Sequence, residues 1–471
     1  MSDADLAARL PAGFRFGTVS AAAQIEGAAA SDGRGPSILD TFAAVPGRIL
    51  DGSTPAIACD HYHRFREDVA LLGQLGAPGY RFSISWSRVQ PTGRGAVNAP
   101  GLDFYDQLVD GLLEAGIEPM VTLLHGDLPQ GLEDDGGWLN RDTADRFGEY
   151  ATIVGDRLAD RVKEWIPVAE PAVTAYLGYG TGERAPGRRL LFDALPAAHH
   201  LLLGHGRAAA ALRAAGAERI GCANNHAPMW PASEDPADVG ATKLFDALWN
   251  GLFLEGMLLG RQPPDIAPLL EGIALPGDHL VIRQPLDFYG VNYYTPLRVG
   301  AAFDDDGEDV NEYDGGEYDG GDDESPFRFL DILGRPQTET GWAVVPEALQ
   351  EWLIMTRARY RAALPPLVIT EAGAAYTVAP GTDGTIDDAE RIAYLTRHLD
   401  AVSNAIAQGV DVRGFYVWSL LDTWEGGDGF VPRYGFVDVD HVTQARTPKR
   451  SFGWYADLVA AHRKVHADRP A

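Results

Sequence analysis

The feature that most constrains this chain is an alternation. Eight short apolar runs, at residues 14–21, 80–86, 118–124, 164–170, 220–225, 288–294, 367–372 and 414–420, are each separated from the next by an amphipathic stretch. The runs have strand length. Between them apolar residues recur every three or four positions, as in Tyr62, Phe65, Val69 and Leu72 or in Ile392, Leu395, Leu399, Val402 and Ile406. Strands alternating with helices predict an α/β fold of parallel strands joined by crossover helices, and eight of them predict a (β/α)8 TIM barrel with extended βα loops. The alternative is a doubly wound open sheet. Against it, the first run passes from Gly17-Thr18-Val19-Ser20 into alanines, with no Gly-rich phosphate loop.

A barrel gathers its chemistry at the C-terminal ends of its strands. There the sequence places Gln24, Glu26, Arg81, Trp86, His125, Asp127, Glu170, Asn225, His226, Asn292, Tyr294, Glu371, Trp418 and Glu425. Two of these are glutamates delivered by apolar runs. Leu367-Val368-Ile369-Thr370 carries Glu371 into the small residues Ala372-Gly373, and Trp165-Ile166-Pro167-Val168-Ala169 carries Glu170 to Pro171. Two carboxylates on separate strands suit a two-carboxylate mechanism if the fold brings them together.

Charge narrows the partners. With 39 Lys and Arg against 67 Asp and Glu, the formal charge of -28 opposes nucleic acid and anionic membrane surfaces. Cys59 and Cys222 are too few for a disulfide framework. The opening MSDADLAARLPAGF has no basic region followed by an apolar core, and no stretch reaches the ~18 apolar residues of a membrane helix, so a cytoplasmic protein is expected. Residues 1–471 are expected to form one catalytic barrel domain. Within it, 303–326 is an acidic, Gly-rich loop insertion, read as solvated. Nothing in the sequence sets the oligomeric state. Cys59, His61 and His63 suggest a metal only superficially, since histidines two apart on a helix point in different directions; no metal and no cofactor are expected.

Several blocks, in order, resemble the family 1 glycoside hydrolases, the β-glucosidase group of retaining glycosidases: FRFGTVSAAAQIEGA (14–28), DGRGPSILDTF (32–42), ACDHYHRFREDVALL (58–72), YRFSISWSRVQP (80–91), DFYGVNYYTP (287–296), VITEAG (368–373), VWSLLDTWE (417–425) and RTPKRSFGWY (446–455). The resemblance implies that Glu371 is the nucleophile and Glu170 the general acid/base. It implies that Arg81 holds Glu371 ionised, that Tyr294 orients it, and that neighbours keep Glu170 protonated. It further implies a sugar site built from Gln24, His125, Asn292, Trp418, Trp424 and Glu425, with a small-molecule glycoside as partner.

Four positions depart from the family pattern. Ala169 and Ala372 stand where the family has Asn, and Gly126 and Gly426 where it has Trp. The Asn at 169 would grip the sugar 2-OH, a contact that strengthens in the transition state. Two absent indoles, each ~200 Å² of surface, widen the pocket unless something refills it, and Trp424 is expected to do part of that. Three readings follow: a retaining glycosidase for a 2-deoxy or bulky glycone, the same scaffold put to proton transfer on another metabolite, or a noncatalytic sugar-binding protein. Phospho-glycosidases are set aside because Glu425, Asp428 and Pro432 supply no basic pocket after the last strand. Plant thioglucosidases are set aside because Glu170 is present.

Overall fold

The computed structural model describes residues 2–302 and 325–467, so residues 303–324 of the expected acidic insertion lie outside the described residues. Its main sheet is entirely parallel. The barrel strands are β1 (Arg15–Ser20), β2 (Gly79–Ser83), β3 (Glu118–Leu124), β4 (Glu164–Val168), a two-piece β5 (Arg219–Ile220 and Asn224–Asn225), β6 (Tyr289–Asn292), β7 (Leu367–Ala372) and β8 (Val412–Trp418). Of the nine ladder segments, the two at the ends of the sheet order are the two pieces of β5. The first pairs with β4 and the second with β6, while β8 pairs with β1, so the sheet closes on itself. This is the expected (β/α)8 barrel.

The expected continuous strand at 220–225 is therefore broken. Between the two pieces the backbone stays beside the β4 segment: Gly221 donates to the Trp165 carbonyl at 2.9 Å, and the Ala223 carbonyl accepts from the Glu170 N–H at 2.8 Å. A side chain at Gly221 would collide with the Phe288 ring, which fixes how closely this backbone passes β6. The run at 80–86 also ends early, at Ser83. The Ser85 N–H is taken by the Tyr105 hydroxyl at 2.8 Å, and Trp86 opens a short helix, Trp86–Val89, with its indole stacked on Tyr150 at 4.9 Å. That turn carries Arg88 to Glu26, a buried pair at 2.8 Å.

Period-two alternation puts Val19, Met120, Ile166, Phe288, Val368 and Tyr416 into one inner cluster, capped by Trp418 and Tyr434. Gly17 and Gly79 leave the room that the Tyr416 ring fills. The larger core lies between the strands and the outer helices, among them His61–Leu75, Asp142–Leu158, Leu195–Ala214 and Ala389–Ala407. On the last of these, Arg391 is a staple. It donates to the carbonyls of Ala374, Tyr376, Arg433 and Tyr434, tying the loop after β7 to the loop after β8. Among the described residues no helix is long and apolar enough to cross a membrane.

Candidate active site

Glu371 is the last residue but one of β7 and β4 ends two residues before Glu170, so barrel closure sets both carboxylates at the C-terminal mouth. Glu170 takes φ +51, in the left-handed region, which a residue with a side chain enters at a cost of about 1–3 kcal/mol. Pro171 disfavours right-handed helical backbone there. The Ala169 N–H donates to the Leu124 carbonyl at 2.9 Å, so the turn is held from both sides, by β3 and by β5. One oxygen of Glu170, one of Glu371 and one nitrogen of His125 all lie within 4.8 Å of one another. A tetrahedral zinc at ~2.1 Å from each ligand would need edges of ~3.4 Å. The spacing suits a pair of cooperating carboxylates at least as well.

The donors around the two acids are unequal. Glu371 Oε2 accepts from Arg81 Nη1 at 3.0 Å and from Asn292 Nδ2 at 3.2 Å, and its Oε1 accepts from the Tyr294 hydroxyl. Glu170 Oε1 accepts from Asn292 Nδ2 at 2.9 Å and from Asn225 Nδ2 at 3.0 Å. Its Oε2 receives no hydrogen bond from the described residues. Burial and the neighbouring Glu170 charge push the Glu371 carboxyl up to about 8, against Arg81 and Tyr294. Arg81 and Tyr294, the two expected supports of Glu371, thus act in the expected direction, against burial and the Glu170 charge.

On one side of the pair lies a second polar group. Gln24 Nε2 donates to Glu425 Oε2 at 2.8 Å, while Glu425 Oε1 accepts from Trp418 Nε1 at 3.3 Å and from Thr423 Oγ1 at 2.5 Å. Burial pushes Glu425 up to about 7. The ring of His125 lies 6.0 Å from that of Trp418; burial and the Arg81 charge hold its imidazole down to about 3, so it is neutral in use. Planar amide, imidazole and carboxylate groups beside one indole face make a site for vicinal hydroxyls over an apolar ring.

Most of the expected site residues thus meet at one mouth. Trp424 is the exception: it has no exposed surface and donates its indole N–H to Ser53 Oγ at 3.0 Å, so it backs the wall and offers no face to a ligand. Its ring does pass 3.8 Å from where a Gly426 Cβ would lie. Gly126, at φ +77, has open space within 4 Å of its Cβ position, so nothing refills that side. Ala169 and Ala372 are buried, at 1% and 0% exposure. Sequence reasoning gave no role to Asn225, Thr423 or Trp342. The last packs edge-on to Tyr294 at 5.1 Å. Of these only Asn225, at the end of its strand, carried a positional signal.

Residues 6–464 match the model of glycosyl hydrolase family 1. A thermostable beta-glucosidase B of Thermobispora bispora is 44% identical over 97% of this chain and 92% of its own length. The crystal structure of a psychrophilic beta-glucosidase from Micrococcus antarcticus superposes with a TM-score of 0.92 at 44% identity, covering 97% of this chain and 99% of that one. A family 1 beta-glucosidase from Thermotoga maritima gives 0.88 at 38% identity over 96% and 98%.

Proposed function

Because this chain belongs to glycosyl hydrolase family 1 and is a glycosidase, we propose that it cleaves β-O-glycosides with retention, Glu371 acting as nucleophile and Glu170 as acid/base. The observation that carries this reading is the pair itself: two carboxylates with atoms within 4.8 Å, bridged by one amide, with three donors on Glu371 and an unoccupied oxygen on Glu170. A retaining pair needs a separation of ~5 to 5.5 Å.

In the first step an oxygen of Glu371 bonds to the anomeric carbon. The bond from that carbon to the leaving oxygen breaks, and Glu170 delivers its proton to that oxygen. In the second, Glu170 takes a proton from water, the water oxygen displaces Glu371, and both carboxyls return to their starting state. Donor placement supports these roles. Both oxygens of Glu371 are occupied by hydrogen-bond donors, whereas Glu170 Oε2 is left open towards a leaving oxygen. No step requires a metal or cofactor, and we treat the whole chain as one catalytic unit.

The glycone is proposed to be unusual, 2-deoxy or bulky. Support comes from Ala169, which brings no amide to the 2-OH, and from the unfilled space beside Gly126. Proton transfer on a non-glycoside, or sugar binding without catalysis, is less well supported, because Gln24, His125 and Glu425 stand beside an intact pair of acids.

The test is intact-mass spectrometry after incubation with an activated 2-deoxy-2-fluoro glucoside, followed by peptide mapping, with turnover of aryl 2-deoxy glycosides alongside. A glycosyl adduct on Glu371 is expected, and the 2-deoxy series is expected to react faster than the glucoside. No adduct and no turnover across a broad sugar panel would overturn the hydrolase mechanism.

A further inference from the structure

Residues 419–432 of the loop after β8 carry no base, but the fold brings one to them. Arg184 follows β4 in sequence by sixteen residues, and its guanidinium lies against the segment Gly426-Gly427-Asp428. Its Nη1 donates to the Gly426 carbonyl, and both terminal nitrogens face Asp428 Oδ2 at 3.4 Å. Gly427 makes this approach feasible. Gly427 sits at φ +117, and a Cβ there would collide with Arg184 Nη1. Gly426 is one of the positions where the family pattern has an indole. A cation therefore stands on the backbone of a segment that has lost an aromatic donor. It acts on the pocket: its charge opposes the upward shift of Glu425, the group that Gln24 and Trp418 hold for a sugar.

Nor is Arg184 fully committed to its neighbours. Its side chain is 36% exposed and that of Asp428 40%. Both contacts to Asp428 converge on one oxygen at 3.4 Å, whereas a matched guanidinium–carboxylate fork forms two parallel bonds at ~2.7 to 2.9 Å. A better-placed carboxylate from a ligand would gain what this pair lacks. A phosphate fits less well, since a dianion beside Asp428 and Glu425 would have one guanidinium to offset it.

We propose that Arg184 forms a carboxylate-binding subsite at the rim of the glycone pocket, so that the enzyme takes glycosides bearing a carboxylate on the sugar or on the aglycone. This inference rests on the glycosidase reading above.

The test compares acids with their neutral methyl esters. The probes are 4-nitrophenyl β-D-glucuronide, where the carboxylate is on the sugar, and 4-carboxyphenyl β-D-glucoside, where it is on the aglycone, each with its ester. For one of the two pairs the acid/ester ratio of kcat/KM should exceed one, and it should fall by about tenfold or more in Arg184→Gln. The pair that responds names the source. Asp428→Asn, which frees the guanidinium, should raise the same ratio and serves if Arg184→Gln does not fold. Ratios unmoved by either variant would overturn the proposal. Should the native enzyme turn over none of the four, the hydrolase reading fails instead. The subsite is then read by calorimetric titration of the same compounds, and acids bound no tighter than their esters would overturn it.

Discussion

Arg81 Nη1 stands 3.0 Å from Glu371 Oε2, with both side chains almost wholly buried. The pair is compensated yet strained, because burial and Glu170 still push Glu371 up to about 8 from an ordinary 4.5. A carboxyl raised on folding binds more protons in the folded state between those two values. It therefore stabilises the fold below its unfolded pKa, and that contribution is lost as pH rises towards 8. Replacing it with a neutral isostere isolates this group from the buried histidines and from Glu425. The Tm of Glu371→Gln should match the native protein near pH 5 and exceed it by about 2 °C or more at pH 8 to 9. Scanning calorimetry across that range checks this, and a Tm difference that does not grow with pH would show that Glu371 is not held in the raised state.

The division of labour between the two acids makes a separate prediction. Glu170 is needed most when the leaving oxygen is a poor leaving group. Glu170→Gln should lose about 10² to 10⁴-fold in kcat/KM on an alkyl or 4-methylphenyl glycoside. The loss should be far smaller on a 2,4-dinitrophenyl glycoside, which departs without a proton. Glu371→Ala should be inactive on both while keeping its far-ultraviolet circular dichroism. Equal losses on the two leaving groups in Glu170→Gln would remove Glu170 from the acid role.

Most of this architecture was legible in the sequence, because strand placement depends on local pattern. The runs ending at Leu124 and Ala372 agree with the strands Glu118–Leu124 and Leu367–Ala372, and Glu371 lies on its strand as expected, while the run over 164–170 stops as a strand at Val168 and leaves Glu170 in the turn beyond. What failed depended on partners distant in sequence. The break in β5 lies where Gly221 passes the Phe288 ring, a contact across 67 positions that no local pattern encodes. Trp424 is implied for the sugar site by the resemblance alone, yet its indole turns to Ser53, 371 positions away. Arg184 lies in a loop with no periodicity at all. Its place beside Gly426 follows from packing across 242 positions.

The side chain missing at 169 can be restored. Ala169 is buried at the end of β4, beside the Glu170 that Asn225 and Asn292 already contact through amide donors. Ala169→Asn should place an amide near the sugar 2-OH and raise kcat/KM for an aryl β-glucoside by about tenfold, since such contacts supply up to several kcal/mol in the transition state. It should leave the matching 2-deoxy glucoside unimproved. The ratio of the two substrates is the readout, because a general packing defect would lower both. An unchanged ratio would mean that an existing amide, such as that of Asn225, already reaches the 2-OH.

The final prediction concerns what holds the mouth in register. Arg391 is 1% exposed and lies on Ala389–Ala407, behind the pocket, yet its guanidinium serves four carbonyls on two different loops and pairs with Asp388 at 2.8 Å. Asp388 in turn accepts from the Ser451 N–H at 2.8 Å, so the staple reaches the last helix. Removing the cation strands a buried carboxylate and leaves four carbonyls to find new donors. Arg391→Met, which keeps much of the length and apolar volume, should cost about 3 to 5 kcal/mol. Because two of those carbonyls lie in the loop directly after Glu371, kcat should fall before the fold is lost, so the loss should appear at temperatures well below the new Tm. A denaturant titration paired with kcat at 15 °C distinguishes the two effects. A variant with native kcat but lower stability would confine Arg391 to the scaffold.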